Sequence, residues 1–100
     1  MSFPHPSALD IDEWISRKMP AYSGPAAAAC LEIIVDVLGM PLLNLEPSSK
    51  FTEDLRADEL EPVEIIMAIE DELGIKISDL EASQLGTVAD LIAHVTKRSQ

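Results

Sequence analysis

The stretch "AAAACLEIIVDVLG", Ala26 to Gly39, contains only two charged residues, Glu32 and Asp36, spaced four apart. On a helix such a pair marks one narrow strip and leaves the rest of the surface apolar. A helix of this kind must be covered on most sides, and this sets the first condition on the fold. The nearest cover lies upstream, where "SALDIDEWISRKM" places Ile11, Trp14, Ile15 and Met19 at helical spacing, with Asp10 and Glu13 as a capping pair. The spacing predicts a short amphipathic helix that folds back through Trp14 and Ile15, although self-association would cover the same surface. Between the two helices "PAYSGP", Pro20 to Pro25, breaks the chain, and Pro25 suits the first turn of the second helix.

One hundred residues with 47% hydrophobic content allow one compact domain with a modest core. Aromatic residues make up only 4%, so Leu, Ile, Val, Ala and Met must fill the interior, which favours helices packed on helices. Cys30 is the only cysteine and sits in the apolar run, so it forms no internal disulfide and reads as a small buried side chain. No stretch approaches the roughly 20 apolar residues of a membrane helix. The N-terminus also lacks the order of a signal peptide. The expectation is a soluble, cytoplasmic protein without membrane insertion, and a monomer rather than a homodimer. The formal net charge of −11 repels nucleic acid and favours protein partners that present Lys and Arg.

The opening "MSFPHP" has two prolines and no periodicity, and reads as a mobile tail with a solvated His5. After the apolar helix, "MPLLNLEPSSKF", Met40 to Phe51, reads as a long loop anchored by Leu43, Leu45 and Phe51. A second long helix is predicted from Glu59 to Leu73, ended by Gly74. Ser78 with Glu81 fits a capping box that opens a short helix, "DLEASQL". Thr87 with Asp90 fits another, followed by Val88, Leu91, Ile92 and Val95 on one face and Lys97 and Arg98 near the C-terminal end. His94 lies away from that apolar stripe and reads as solvated.

The Glu59–Leu73 helix is unusually acidic. Between Glu53 and Glu72 stand nine acids and one cation, Arg56. A period of 3.6 puts Glu61, Glu64, Asp71 and Glu72 on one face, Val63, Ile66, Ile69 and Leu73 toward the interior, and Leu60 and Met67 on the border. Such acids solubilise a helix and, near its N-terminal end, complement its dipole. An acidic rim around the flexible thioether of Met67 is also a docking pattern.

The segment "FTEDLRADELEPVEIIMAIEDELGIKI", Phe51 to Ile77, resembles the core of acyl carrier proteins, and the likeness extends over about Ala26 to Val95. Phe51, Glu53, Asp54, Leu55, Ala57, Asp58, Leu60, Val63, Glu64, Met67, Ala68, Glu70, Gly74 and Ile75 match the family pattern, and "GTVADLIAHV" resembles its last helix. The resemblance implies an all-α, four-helix fold of three longer helices and one short one. Residues 1–24 then form an N-terminal extension with a short helix, and residues 25–100 form the carrier-like domain. It also implies that enzymes of acyl metabolism (fatty-acid, polyketide or related) read the second helix of that domain, at Leu60, Glu64, Met67, Glu70 and Asp71.

Family members carry cargo on 4'-phosphopantetheine joined to the Ser of an Asp-Ser-Leu triplet. Here the triplet is Asp58-Glu59-Leu60, so Glu59 occupies the attachment position. A carboxylate cannot form a stable phosphodiester with that group, and the expectation is a chain without the cofactor. Ser48, Ser49 and Ser78 fit loop or cap roles instead. Arg56 replaces the family's usual Gly. Glu59 keeps one negative charge where a phosphodiester would place one, or is simply a favourable first-turn acid.

Two functional readings follow from the resemblance. One is a docking module that has lost covalent attachment and binds basic partner surfaces. The other is a genuine acyl carrier protein whose attachment serine has been replaced by Glu59. An enzyme is disfavoured, since the chain has no Ser, His and Asp set, no metal-spaced Cys or His cluster and no Gly-rich phosphate loop. Glu61 and Glu64 are close enough for acid/base work or a divalent cation, but exposed carboxylates lack the burial such chemistry needs.

Overall fold

Five α-helices enclose one aliphatic core in the computed structural model, which describes residues 6–99. They are α1 (Ala8–Lys18), α2 (Pro25–Leu38), α3 (Glu61–Leu73), α4 (Asp79–Ser83) and α5 (Val88–Arg98), with 3-10 turns at Pro20–Tyr22 and Leu42–Asn44. Among the described residues extended pairing is limited to one isolated bridge between Lys50 and Thr87. The expected tail falls largely on residues outside the described range. Pro6 is half-buried.

The apolar helix α2 lies at the centre, and α1, α3 and α5 all pack on it. Its Ala27, Cys30, Leu31 and Ile34 have no exposed surface. Pro25 sits in its first turn, where no N–H is needed, and Gly39 ends it at φ 61, a conformation that glycine adopts without strain. From α1, Ile11, Trp14, Ile15 and Met19 are all buried in the shared core, so the upstream helix supplies the predicted cover. Its cap differs from the expectation. Ser7, not Asp10, is the N-cap, and Ser7 and Asp10 exchange side-chain to backbone hydrogen bonds of 3.1 Å each. A hydroxyl three residues before the acid completes the box, whereas Glu13 pairs with Arg17 along the outer face.

The long connection between α2 and α3 is held by stitches at both ends. The Trp14 indole N–H donates to the Leu45 carbonyl at 3.0 Å, and Lys18 pairs with Glu46. Further along, Val88 N–H donates to Ser49 O, Ala89 N–H to Pro47 O, and Phe51 N–H to Gly86 O, at 2.9 to 3.2 Å. Leu45 and Phe51 are buried anchors, but Leu43 is 90% exposed and anchors nothing. The Leu42–Asn44 turn rotates Leu43 outward and leaves Leu42 half-buried against the core. Ser49 is buried, and its Oγ accepts the Glu46 N–H at 3.0 Å.

The remaining capping boxes form as expected, with Ser78 and Glu81 opening α4 and Thr87 and Asp90 opening α5. The α4 helix ends at Ser83 and so is shorter than the "DLEASQL" segment. On α5 the buried stripe is Val88, Leu91, Ile92 and Val95. His94 is not solvated as expected. It is half-buried and its Nε2 lies 2.7 Å from the Glu81 carboxylate.

Candidate functional site

The turn before α3 is organised by one carboxylate. Asp58 Oδ1 accepts the N–H groups of both Leu60 and Glu61 at 2.9 Å, and Glu61 Oε1 accepts the Asp58 N–H at 3.0 Å. This reciprocal arrangement satisfies the first free donors of the helix, and Pro62 follows in the first turn with no N–H to satisfy. The helix therefore begins at Glu61, two residues later than the spacing predicts. Glu59 precedes the N-cap Leu60 and is not a first-turn acid, a role filled by Glu61 and Glu64. The Glu59 side chain is exposed, and no donor among the described residues meets its carboxylate.

Two residues before Asp58, the backbone carries the one positive φ outside glycine among the described residues, Arg56 at 56°. Its neighbours Leu55 and Ala57 are buried, with Leu55 N–H on Lys50 O at 3.0 Å and Ala57 N–H on Phe51 O at 2.8 Å. The chain is thus pinned on both sides of Arg56, and the left-handed turn is imposed by its surroundings. A Gly would adopt the same conformation freely.

Along α3 the interior face differs from the expected one by a rotation. Ile65 and Ile69 are buried and Ile66 and Leu73 are half-buried, but Val63 is 54% exposed. Because the first turn is set by Asp58 and Pro62, the 65–69 ridge meets α2 and Val63 turns outward. Leu60 and Met67 are also well exposed, so three apolar side chains share the outer surface with the exposed carboxylates of Glu64 and Asp71. Glu70 takes a different place. It is half-buried, and its carboxylate accepts the Ile77 N–H at 2.8 Å, which fixes the connection to α4.

Between α3 and α4 lies an apolar cavity of about 350 Å³, bordered by Val63, Ile66 and Met67 on one side and by Ala82 and Leu85 on the other, with Phe51 and Leu91 also lining it. Glu70 and Asp79 are its acidic members. Sequence reasoning did not find this cavity, since it arises from how α3 and α4 meet. Elsewhere, burial pushes the Cys30 thiol up to about 12, which keeps it protonated and unreactive. No cluster of three metal-ligating side chains occurs among the described residues.

Residues 30–95 match the family described as the phosphopantetheine attachment site. An acyl carrier protein from Solidesulfovibrio magneticus is 46% identical over 67 residues, which is 67% of this chain and 86% of that protein. The chain belongs to the acyl carrier protein family. The family match begins inside α2 and ends at the last buried residue of α5, so α1 lies outside it although α1 is built into the same core. Within an acyl carrier fold, α3, with Val63 and Met67 exposed on it and its N-cap Leu60 exposed beside them, is the helix that follows the Asp58-Glu59-Leu60 triplet. No described helix is long and apolar enough to cross a membrane.

Proposed function

We propose that this acyl-carrier-family chain is a docking module without a covalent arm. The observation that carries the reading is Glu59, an exposed carboxylate with no partner among the described residues, held just before α3 by the Asp58–Glu61 exchange. The family's arm is held through a phosphodiester to a side-chain hydroxyl. Glu59 offers none, so the residues present at this position do not fit 4'-phosphopantetheine. Ser49 is buried with its hydroxyl engaged by Glu46 N–H, and Ser78 is engaged as the N-cap of α4. The chain therefore works through contact. Residues 1–24 form an extension whose helix braces α2 and the loop that leads to Glu59.

Docking uses α3. Glu64 and Asp71 attract a basic partner, one of the enzymes of acyl metabolism, and Leu60, Val63 and Met67 supply apolar contact between them. Surface charges of this kind act mainly on association rate, whereas buried apolar contact acts on dissociation. The protein acts as a monomer in the cytoplasm and does no catalysis of its own.

The second reading, a carrier with a serine replaced by Glu59, is supported by the 46% identity to an acyl carrier protein. The two readings share the docking face and differ only at position 59. The docking claim is tested by pull-down from the native extract, comparing the unmodified chain with a Glu64→Lys, Asp71→Lys double variant. Loss of acyl-metabolism enzymes from the captured set is expected. Identical sets would show that α3 is only a solvated wall.

A further inference from the structure

Two side chains of α1 reach beyond α2 to the connection that follows it. Trp14 donates its indole N–H to the Leu45 carbonyl, and Lys18 pairs with Glu46 on the next residue. A helix that only covered α2 would need neither contact, since Ile11, Ile15 and Met19 already lie in the shared core. Both contacts fall at the start of a bonded frame. Glu46 and Ser49 exchange hydrogen bonds of 3.0 Å, from Glu46 N–H to Ser49 Oγ and from Ser49 N–H to the Glu46 carbonyl. Lys50 follows, its N–H donating to Asp54 Oδ2 at 2.8 Å and its carbonyl accepting from Asp54 and Leu55. The Phe51 carbonyl then takes the Ala57 N–H, and Asp58 is the next residue.

The element in this frame that has a conformation to lose is Arg56. Its backbone is left-handed at φ 56, and a non-glycine residue stays there only while its surroundings over-determine it. The pins are the Leu55 and Ala57 N–H groups, and both end on the frame, at Lys50 and Phe51. The frame is tied to the start of α5 through Pro47, Ser49 and Phe51, and to α1 through Leu45 and Glu46.

We propose that α1 is a clamp on the turn that carries Glu59, with Trp14 and Lys18 as positioning residues that act through Leu45 and Glu46. With the clamp closed, Arg56 is held left-handed and the Asp58–Glu61 exchange is presented in one geometry. With it released, Arg56 relaxes and the turn before α3 becomes mobile. Because α1 lies outside the matched residues 30–95, this control is an addition to the carrier domain. Its effect on partners rests on the reading of this turn and α3 as the docking face, whereas the clamp itself does not.

The test breaks the surface pair on the full chain with Lys18→Glu and follows amide hydrogen exchange by NMR. Protection of the Leu55 and Ala57 N–H groups should fall on the order of threefold, as expected for a part-exposed ion pair, while the buried stretches of α2 and α3 keep theirs. The reversed pair, Lys18→Glu with Glu46→Lys, should restore it. Lys97→Glu makes the same change in net charge on α5 and should alter nothing. In an Arg56→Gly background, where no strain drives the turn, the effect of Lys18→Glu should shrink, and an undiminished effect would overturn the role given to Arg56. On a Glu59→Ser background, kcat/KM for transfer of phosphopantetheine from coenzyme A should follow the same order across the variants. Unchanged protection in Lys18→Glu, or an equal loss in Lys97→Glu, would overturn the clamp. Faster exchange with unchanged transfer would overturn its effect on partners. If Glu59→Ser accepts no phosphopantetheine at all, the docking-face reading fails, and the exchange measurement still decides the clamp.

Discussion

The Trp14 indole N–H meets the Leu45 carbonyl at 3.0 Å in a buried setting, joining α1 to the connection that leads to α3. Lys18 adds to this junction, with its ammonium 5.8 Å from the Trp14 ring and its ion pair to Glu46. Trp14 is only 5% exposed, so Trp14→Ala should cost about 3–5 kcal/mol in urea denaturation. Trp14→Phe keeps most of the apolar contact but leaves the carbonyl unpaired, and should cost about 1–3 kcal/mol. If either variant unfolds like the parent, α1 is not part of the core.

Relief of strain is expected at Arg56. A non-glycine residue in the left-handed region costs roughly 1–2 kcal/mol. The extra freedom that Gly gains in the unfolded chain offsets part of the gain from replacing it. Arg56→Gly should therefore raise stability by about 0.5–1 kcal/mol, seen as a higher Tm. A lower Tm would mean that the guanidinium makes a stabilising contact.

Glu81 gives the fold an acid dependence with a defined sign. Its contact with His94, the Ser78 N–H and the Arg98 contact hold its carboxyl down at about 2, against 4.5 for an ordinary glutamate. The unfolded chain binds this proton first, so the contribution is fully present above pH 4.5 and is lost as pH falls toward about 2. Thermal melts of Glu81→Gln and the parent should therefore differ most at neutral pH and converge as pH falls through that window. A difference that grows on acidification would contradict the assignment.

Thr96 carries the one buried side-chain polar atom without a partner among the described residues. Thr96→Val removes that hydroxyl at nearly constant shape and should stabilise the protein by about 1 kcal/mol, measured by denaturant midpoint. Destabilisation would show that the hydroxyl is satisfied in solution.

Much of this fold is legible in the sequence because its signals are local or strongly periodic. With only two charges, the Ala26–Gly39 run leaves an apolar surface that requires cover, and the Trp14 helix supplies part of it. The Ser78/Glu81 and Thr87/Asp90 boxes are three-residue signals and form as read. What sequence pattern missed depends on tertiary geometry. The rotation of α3 that exposes Val63 follows from the Asp58 cap and Pro62, a detail that an averaged period does not hold. Leu43 departs from its expected anchoring role because the 3-10 turn at Leu42–Asn44 turns it to the surface. The engagement of His94 and of Glu70 needs α4 in place, and no pattern in the chain announces it.

The central claim is that position 59 cannot receive the family's arm, and intact-mass spectrometry after incubation with coenzyme A and a phosphopantetheinyl transferase tests it most directly. The account predicts no mass change for the chain as it stands and a single phosphopantetheine adduct on Glu59→Ser, because the Asp58–Glu61 exchange that sets the turn is unaltered by that substitution. A stable adduct on the unsubstituted chain, mapped to any residue, would contradict it.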